Sequence, residues 1–309
     1  LKPRLVLLGG SGFIGQSLLN YLATSQKRGR FESVILDPVP PRFAQPDFFA
    51  EGGIEETDKV ADLIKEGDIV LHLVHTTIPS ESADAPSREL KENLEPSIKL
   101  IQILKKKPVK GLIYFSSGGT IYGEPRGQEP IPESAPATPN SIYAQTKLKI
   151  EKEIIDAGRS AALNYIILRP ANPYGPWQEV LNRHGAAGRI FQALWEGSEF
   201  EIFGDGETIR DYIYIDDLVE AVLLLLEKSA WNQTFNIGTG QGTSLNRLIS
   251  LCQEVSGKTL RKKYLPLRST DLRYNVLDAS LLKALGWPPR YSLKRGLKKT
   301  WKYFLENKK

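Results

Sequence analysis

Cysteine is nearly absent. Cys252 is the only one in 309 residues, which rules out an internal disulfide framework and leaves no thiolate cluster for zinc. That usage fits a reducing compartment. Methionine is missing altogether, initiator included, which points to a processed or altered terminus and to no function. No apolar run reaches the roughly 20 residues that span a bilayer, and the chain opens straight into a strand pattern with no signal-like segment. The expectation is a cytoplasmic protein with no membrane partner. Charge of one sign is nowhere concentrated: 41 Lys plus Arg stand against 36 Asp plus Glu, a formal +5, and only the C-terminal third is visibly basic, at positions 261–263 and 298–302. Without a basic stripe interleaved with exposed aromatics, nucleic acid is not expected as a partner. Anionic small molecules are the simpler one. Internal repeats and low-complexity segments are also missing.

What is present begins at the N-terminus. LVLLGGSGFIG is an apolar strand, residues 5–8, running into Gly9, Gly12 and Gly15, after which GQSLLNYLA continues with helical apolar spacing. Gly9 permits the tight turn, Gly12 lets a pyrophosphate approach the main chain, and Gly15 lets the helix pack closely, with the phosphates facing the positive helix end. The next apolar strand ends at Asp37, where a carboxylate accepts hydrogen bonds from ribose hydroxyls and repels a 2′-phosphate. This favours NAD over NADP. The alternative for Asp37 is a solvated acid at a strand end.

Strand and helix patterns alternate through the first half. VILD is followed by a helix around TDKVADLIKE, DIVLHLVH as a fourth strand, a helix over about 87–104, KGLIYFSS as a fifth strand, and a helix from about Ser141. Such alternation predicts a parallel sheet covered on both faces, with ligands at the carboxyl ends of the strands. The proline-rich stretch over 123–141 is a loop over the cleft. After NYIILRP the chain becomes turn-rich, and DYIYIDDLVEAVLLLLE reads as a strand and helix returning to the large sheet. The expected fold is therefore α/β, a Rossmann-type doubly wound parallel sheet with a smaller C-terminal substrate lobe. Residues 1–170, rejoined by 211–228, form the cofactor domain, and 171–309 form mainly the substrate lobe.

Tyr143 and Lys147 are the only Tyr and Lys spaced four apart in that order. On a helix they share one face, and an ammonium beside a phenol lowers the phenol's pKa towards working pH, making Tyr143 a candidate general acid/base. Such a pair arises by chance in a chain with 12 tyrosines; its place after the fifth strand and a serine-rich turn is what counts. His72 and His75, three apart in a strand, point to opposite faces, so they share no metal. His75, at the strand's carboxyl end, can line the nicotinamide pocket, whereas His72 packs inside. His184 is open between a substrate contact and a loop residue.

Over nearly the whole chain these residues resemble the extended short-chain dehydrogenase/reductase family, in its branch of nucleotide-sugar 4-epimerases of the UDP-glucose 4-epimerase type. Gly9, Gly12 and Gly15 match the glycine motif, Asp37 the ribose acid, and Tyr143 with Lys147 the YxxxK pair. Asn93 is similar to the family's structural asparagine near the active site. RPANPYGP, GDGETIRDYIYIDD, FNIGTG and RSTDLRYNVLDAS resemble further family segments. The resemblance implies an NAD site that also includes Phe13, Ile14, Leu73 and Pro170. It implies a nucleotide-sugar site in which Asn172 contacts the diphosphate, Arg210 and Arg268 neutralise it, Asp271 bonds a ribose hydroxyl and Phe203 lies near the base. Arg suits the task because it offers planar forks of donors. Taken singly, the two arginines read as surface ion pairs and Asp271 as a cap or turn. A homodimer through helices 87–104 and 141–157 is also implied.

Three positions depart from the family pattern. Gly118 stands where many members have Ser or Thr beside the Tyr–Lys pair, so Ser117 or Thr120 takes the role, or Tyr143 reaches the sugar directly through the extra room. Gly119 and Thr120 lack the acids that sister dehydratases and decarboxylases place there. Gly53 replaces an acid that contacts adenine. Asn275 stands where some epimerases carry a bulky Tyr, which keeps N-acetylhexosamines open as substrates. The expected activity is 4-epimerisation of a UDP-hexose, either UDP-glucose/UDP-galactose or the N-acetylhexosamine pair. The rivals are an NDP-4-ketosugar reductase and a non-catalytic dinucleotide-binding sensor.

Overall fold

The architecture is that of a computed structural model, which describes residues 2–77, 86–125, 127–178, 185–268 and 272–307. Strands β1 (Arg4–Leu8), β2 (Glu32–Asp37), β3 (Phe48–Glu51), β4 (Ile69–His72), β5 (Gly111–Phe115) and β6 (Tyr165–Pro170) come from the first half of the chain. After β7 (Asn172–Tyr174), β8 (Glu199–Phe203) and β9 (Ile209–Tyr214), β10 (Gln233–Ile237) completes a seven-stranded sheet. Its order is β3-β2-β1-β4-β5-β6-β10, parallel throughout. The strand order reverses between β1 and β4, which opens the ligand crevice at the carboxyl ends of those strands. This is the expected doubly wound fold with a smaller C-terminal lobe.

Both faces of the sheet are covered because the central strands are buried and largely apolar on both sides. Leu5 and Leu7 of β1 pack on one side with Leu18, Leu19 and Leu22 of α1 (Phe13–Thr24) and with Leu218 and Val222 of α7 (Ile215–Glu227). Val6 and Leu8 pack on the other with Val60 of α2 (Thr57–Leu63), Leu100 and Ile101 of α4 (Glu95–Leu104), and Ile150 and Ile154 of α5 (Ile142–Ala161). Alternation with period two sends successive residues to opposite cores. The helix expected over 87–104 is α3 (Pro86–Glu89) running through a π turn, Leu90–Leu94, into α4. Among the described residues no helix is long and apolar enough to cross a membrane.

Two readings of the sequence need correction. β3 was not singled out because it is a short edge strand whose Phe48 is exposed, so its apolar pattern is weak. The strand of DYIYIDD does not return to the large sheet. β9 pairs with β11 (Gly242–Ser244), β13 (Tyr274–Asn275) and β7 in a second sheet. It is α7 that packs back against α1, and β10 that rejoins the large sheet. Alternation marks a strand but not the sheet that receives it. The smaller lobe is completed by α6 (Ala186–Glu196), α8 (Leu245–Ser256), α9 (Ser280–Ala284), α10 (Leu293–Asn307) and the parallel pair of β8 with β12 (Arg261–Leu265). Cys252 is fully buried in α8, where burial pushes its thiol pKa up.

Candidate active site

The three glycines of the loop stand in three different surroundings. Gly9 turns with φ +81°, and a Cβ there would stand 2.9 Å from the Val74 side chain. At Gly15 a Cβ would lie 2.3 Å from the Gly10 carbonyl oxygen, so the helix packs against the loop only without a side chain. Gly12 has open space beside it, its nearest neighbour being the Gly9 carbonyl at 3.4 Å. As the N-cap of α1 it makes no side-chain cap, and the first turn, which includes Phe13 and Ile14, carries no acid. The positive helix end is thus left for an anion.

Asp37 ties this loop to the next. Its carboxylate accepts from the Ser11 amide and the Val39 amide, both at 3.1 Å. Burial raises its pKa against the lowering effect of those two bonds. A carboxylate has about four lone-pair sites, so two remain for ribose hydroxyls. Leu73 extends the β4 register by one residue, donating to the Leu8 carbonyl at 2.9 Å.

Ser141 caps α5 by accepting from the Ala144 amide at 3.2 Å, which places Tyr143 in the first turn and Lys147 one turn later. The Lys147 ammonium donates to the Phe115 carbonyl at 2.8 Å and lies 5.9 Å from the centre of the Tyr143 ring. The Ser117 hydroxyl is hydrogen-bonded to the Tyr143 phenol, and Thr120 donates to Ser117 at 3.0 Å. Hydroxyls therefore do reach the phenol, as a two-residue chain.

The expected lowering of the phenol by its lysine is not what the site shows. Burial pushes Tyr143 up to about 12 and Lys147 down to about 7. Lys147 is buried and Tyr143 only partly exposed, and desolvation disfavours each charged form by more than the neighbours offset. Because the folded pKa of Lys147 lies below its ordinary 10.5, the unfolded chain binds more protons between those values. Stability accordingly rises with pH across that window, and the cost of burying the charge is full below about pH 7. Urea titrations of the ligand-free protein and of Lys147→Met are expected to differ most in the variant's favour at pH 7 and below, and to converge towards pH 10. A gap independent of pH would show that Lys147 is not the group responsible.

Gly118 does not provide extra room. A Cβ there would lie 2.4 Å from Leu277 Cδ1 and 2.8 Å from the Arg169 carbonyl oxygen, and its own amide and carbonyl are taken by Pro170 and Asn275 at 2.9 and 3.0 Å. The space is filled by Leu277. Gly118→Ser should therefore destabilise the fold by about 1–3 kcal/mol, the usual cost of overpacking, with no gain in activity; calorimetry of the variant reads this directly.

Behind Tyr143 lies a polar cluster that the sequence reading found only in part. Asn93 sits in the π turn, where its side-chain Oδ1 accepts from the Thr76 amide at 2.8 Å, so the side chain holds the end of β4 in place. Glu89, one turn earlier, is 0 % exposed, accepts from the Thr77 hydroxyl and pairs with His75 Nε2 at 2.9 Å. The His75 ring meets the Tyr143 ring edge-on at 4.5 Å. His72 packs inside against Ser97 at 2.8 Å, and burial pushes its pKa down to about 3.

Four of the residues assigned to the substrate lie together. Asn172, Phe203, Arg210 and Arg268 line one cleft of about 430 Å³. The Arg268 guanidinium stacks over Phe203 at 3.5 Å. Arg210 donates to the Ile209 and Leu272 carbonyls at 2.9 and 2.7 Å, and Asn172 to the Asp211 carbonyl at 2.9 Å. Arg189, stacked on Phe200 at 5.6 Å, also lines the cleft. It was missed because an arginine in a turn-rich stretch carries no pattern of its own. Asn275 is fully buried, its amide on the Gly118 carbonyl, and so lies a layer behind the cleft wall. Asp271 and His184 lie outside the described residues.

The NAD dependent epimerase/dehydratase family matches residues 5–238. The chain is similar to a crystal structure of UDP-glucose 4-epimerase with UDP-glucose from Thermotoga maritima, at 34 % identity and a TM-score of 0.91, covering 99 % of this chain and 100 % of that one. It is 29 % identical to a UDP-glucose 4-epimerase of Mycolicibacterium smegmatis over 97 % of this chain and 98 % of the relative. It is also 28 % identical to a dTDP-4-dehydro-6-deoxyglucose reductase of Escherichia coli over 96 % of each. With the glycine loop, Asp37 and the Tyr143–Lys147 helix in their expected places, this chain belongs to the NAD dependent epimerase/dehydratase family.

Proposed function

We infer that this chain interconverts the C4 epimers of a UDP-linked hexose through a transient 4-keto sugar. The observation that carries the reading is one constellation, Tyr143 with Lys147 and the Ser117–Thr120 chain, in a fold that also leaves a helix N-terminus open for a diphosphate. The uncapped α1 end, the open flank of Gly12 and the spare acceptors of Asp37 fit a dinucleotide. NAD held there would supply a reversible hydride acceptor for C4 and a positive ring favouring a phenolate nearby. Tyr143 as phenolate takes the proton of the 4-hydroxyl and later gives it back, so neither protons nor electrons leave the site in a full cycle. Ser117, backed by Thr120, donates to the charged phenolate oxygen. Lys147 fixes the helix turn through the Phe115 carbonyl.

In the same reading Arg210, Arg268 and Asn172 grip the diphosphate, Phe203 lies near the base and Asp271 bonds a ribose. The grip stays while the keto sugar turns over, so binding energy comes from parts remote from the reacting carbon. The deciding experiment incubates the protein with UDP-glucose and, separately, with UDP-N-acetylglucosamine, NAD supplied and no reductant. Proton NMR should show the galacto epimer of at least one of them. No epimer of either, together with stoichiometric oxidation of NADH by a 4-ketosugar, would favour the reductase reading that the Escherichia coli relative raises. We further take the chain to be a cytoplasmic homodimer paired through α3, α4 and α5, a reading supported by the 46 % exposure of Leu90 between α3 and α4. Sedimentation velocity showing a monomer at micromolar concentration would remove the dimer.

A further inference from the structure

Glu89 has no part in the mechanism above, yet it is a carboxylate with no exposed surface, placed within the cluster that backs Tyr143. Burial alone would push its carboxyl up. The bonds from His75 and Thr77 outweigh that and hold it below the usual carboxylate range. A buried carboxylate that stays ionised requires a cation in contact, because an unpaired charge away from water is strongly disfavoured. The ion-pairing group in contact with Glu89 among the described residues is His75, with Nε2 2.9 Å from Oε1. The other side of His75 is the Tyr143 ring, edge-on at 4.5 Å.

We propose that Glu89 holds His75 as an imidazolium, and that His75 thereby acts as a second cation beside Tyr143, orienting the phenol and favouring its phenolate. The proposal rests on the reading of Tyr143 as the acid/base. Glu89 is a positioning residue in this scheme, acting only through His75. The division of labour has a physical reason. Lys147 is so dry that its own charge is costly, and burial pulls it down to about 7; a histidine with a carboxylate at its back keeps its proton where an isolated buried imidazole such as His72, pulled down to about 3, does not. Among the described residues, the titratable groups recorded around His75 are Glu89 on α3, Tyr143 and Lys147 on α5, and His72 on β4, with Glu151 acting on Lys147. Of these, Glu89 is the one anion in contact with the imidazole.

The sign of the effect separates this arrangement from a bare carboxylate. Glu89 by itself opposes ionisation of Tyr143. If His75 were neutral, removing the carboxylate would lower the Tyr143 pKa. If Glu89 keeps His75 charged, removing it discharges the nearer cation and the Tyr143 pKa rises.

The first measurement reads the wild-type site, with a substitution used only to assign the signal. The chain has 3 histidines, so ¹⁵N-histidine NMR of the NAD-loaded protein, assigned with His75→Gln, should show His75 as imidazolium at pH 7 and still at pH 8. A neutral His75 at pH 7 overturns the proposal. The second compares Glu89→Gln with wild type by phenolate ultraviolet absorbance, taking Tyr143→Phe as the blank. The Tyr143 pKa should rise by about 1, with the acid limb of the kcat profile moving by the same amount and KM unchanged. An unchanged or lowered Tyr143 pKa overturns the proposal, even where turnover falls for structural reasons. Full turnover in Tyr143→Phe would instead remove the acid/base reading while leaving the charge on His75 intact, so the two failures are distinguishable.

Discussion

Tyr143→Phe is expected to lower kcat for epimerisation by roughly 10³-fold, within the span that positioned proton transfer contributes, while the variant still folds and still takes up NAD. The ring stays, and with it the edge-on contact to His75 at 4.5 Å. Only the hydroxyl bonded to Ser117 is lost, and the Thr120–Ser117 bond of 3.0 Å remains. The cost in stability should therefore stay near the 1 kcal/mol of a single hydrogen bond. The large loss must appear in kcat, because no other described side chain is placed by the same helix face with a lysine one turn away. Stopped-flow turnover together with isothermal titration of NAD checks both halves. Turnover within tenfold of wild type would mean that the sugar hydroxyl gives its proton to another group.

The largest expected effect on stability lies behind the catalytic helix. Glu151→Ala should destabilise the protein by about 3–5 kcal/mol, the usual result of removing one partner of a buried ion pair. Glu151 is 1 % exposed, and its carboxylate takes a forked pair from Arg169, Nε at 3.0 Å and Nη2 at 2.6 Å. Arg169 then donates to the Tyr122 hydroxyl at 3.0 Å, which donates to Asn236 at 2.7 Å. The chain of bonds runs from α5 through β6 to β10, so the guanidinium stranded by the substitution sits at the centre of the sheet's far edge. Replacing both partners by apolar residues of similar volume should recover much of the loss, since the penalty is that of an unpaired charge. Urea denaturation midpoints of Glu151→Ala and of Glu151→Met with Arg169→Met give the comparison. Equal destabilisation of the two would mean that the pair supplies net attraction beyond repairing its own burial.

Much of this molecule was readable before its structure. A turn that only glycine can make, an acid ending the second strand and a Tyr–Lys pair on one helical face are local patterns, and local patterns survive folding. Burial is not local. The pKa of Tyr143 was misjudged because spacing reveals the lysine but not the burial that disfavours both charged forms. Gly118 was taken for open space because a missing side chain does not disclose that Leu277 occupies the gap. Glu89 sits among Arg88, Lys91 and Glu92 and reads as a solvated helix acid. Its signal was present all the same: Glu89, Asn93 and Ser97 recur every four residues and are all buried, a polar stripe on the face where a helix against a sheet is expected to be apolar.

The order in which the strands arrive also constrains how such a chain is made. β6 is complete at Pro170, but its neighbour on the outer side, β10, begins only at Gln233. During synthesis the cofactor half therefore emerges with a bare apolar strand at its margin, and β7, α6, β8 and β9 of the smaller lobe are made before the strand that closes the sheet. Open strand edges of this kind invite pairing with other chains. A nascent chain arrested before residue 233 is a sticky intermediate, which makes the pace of translation through the middle third a determinant of yield.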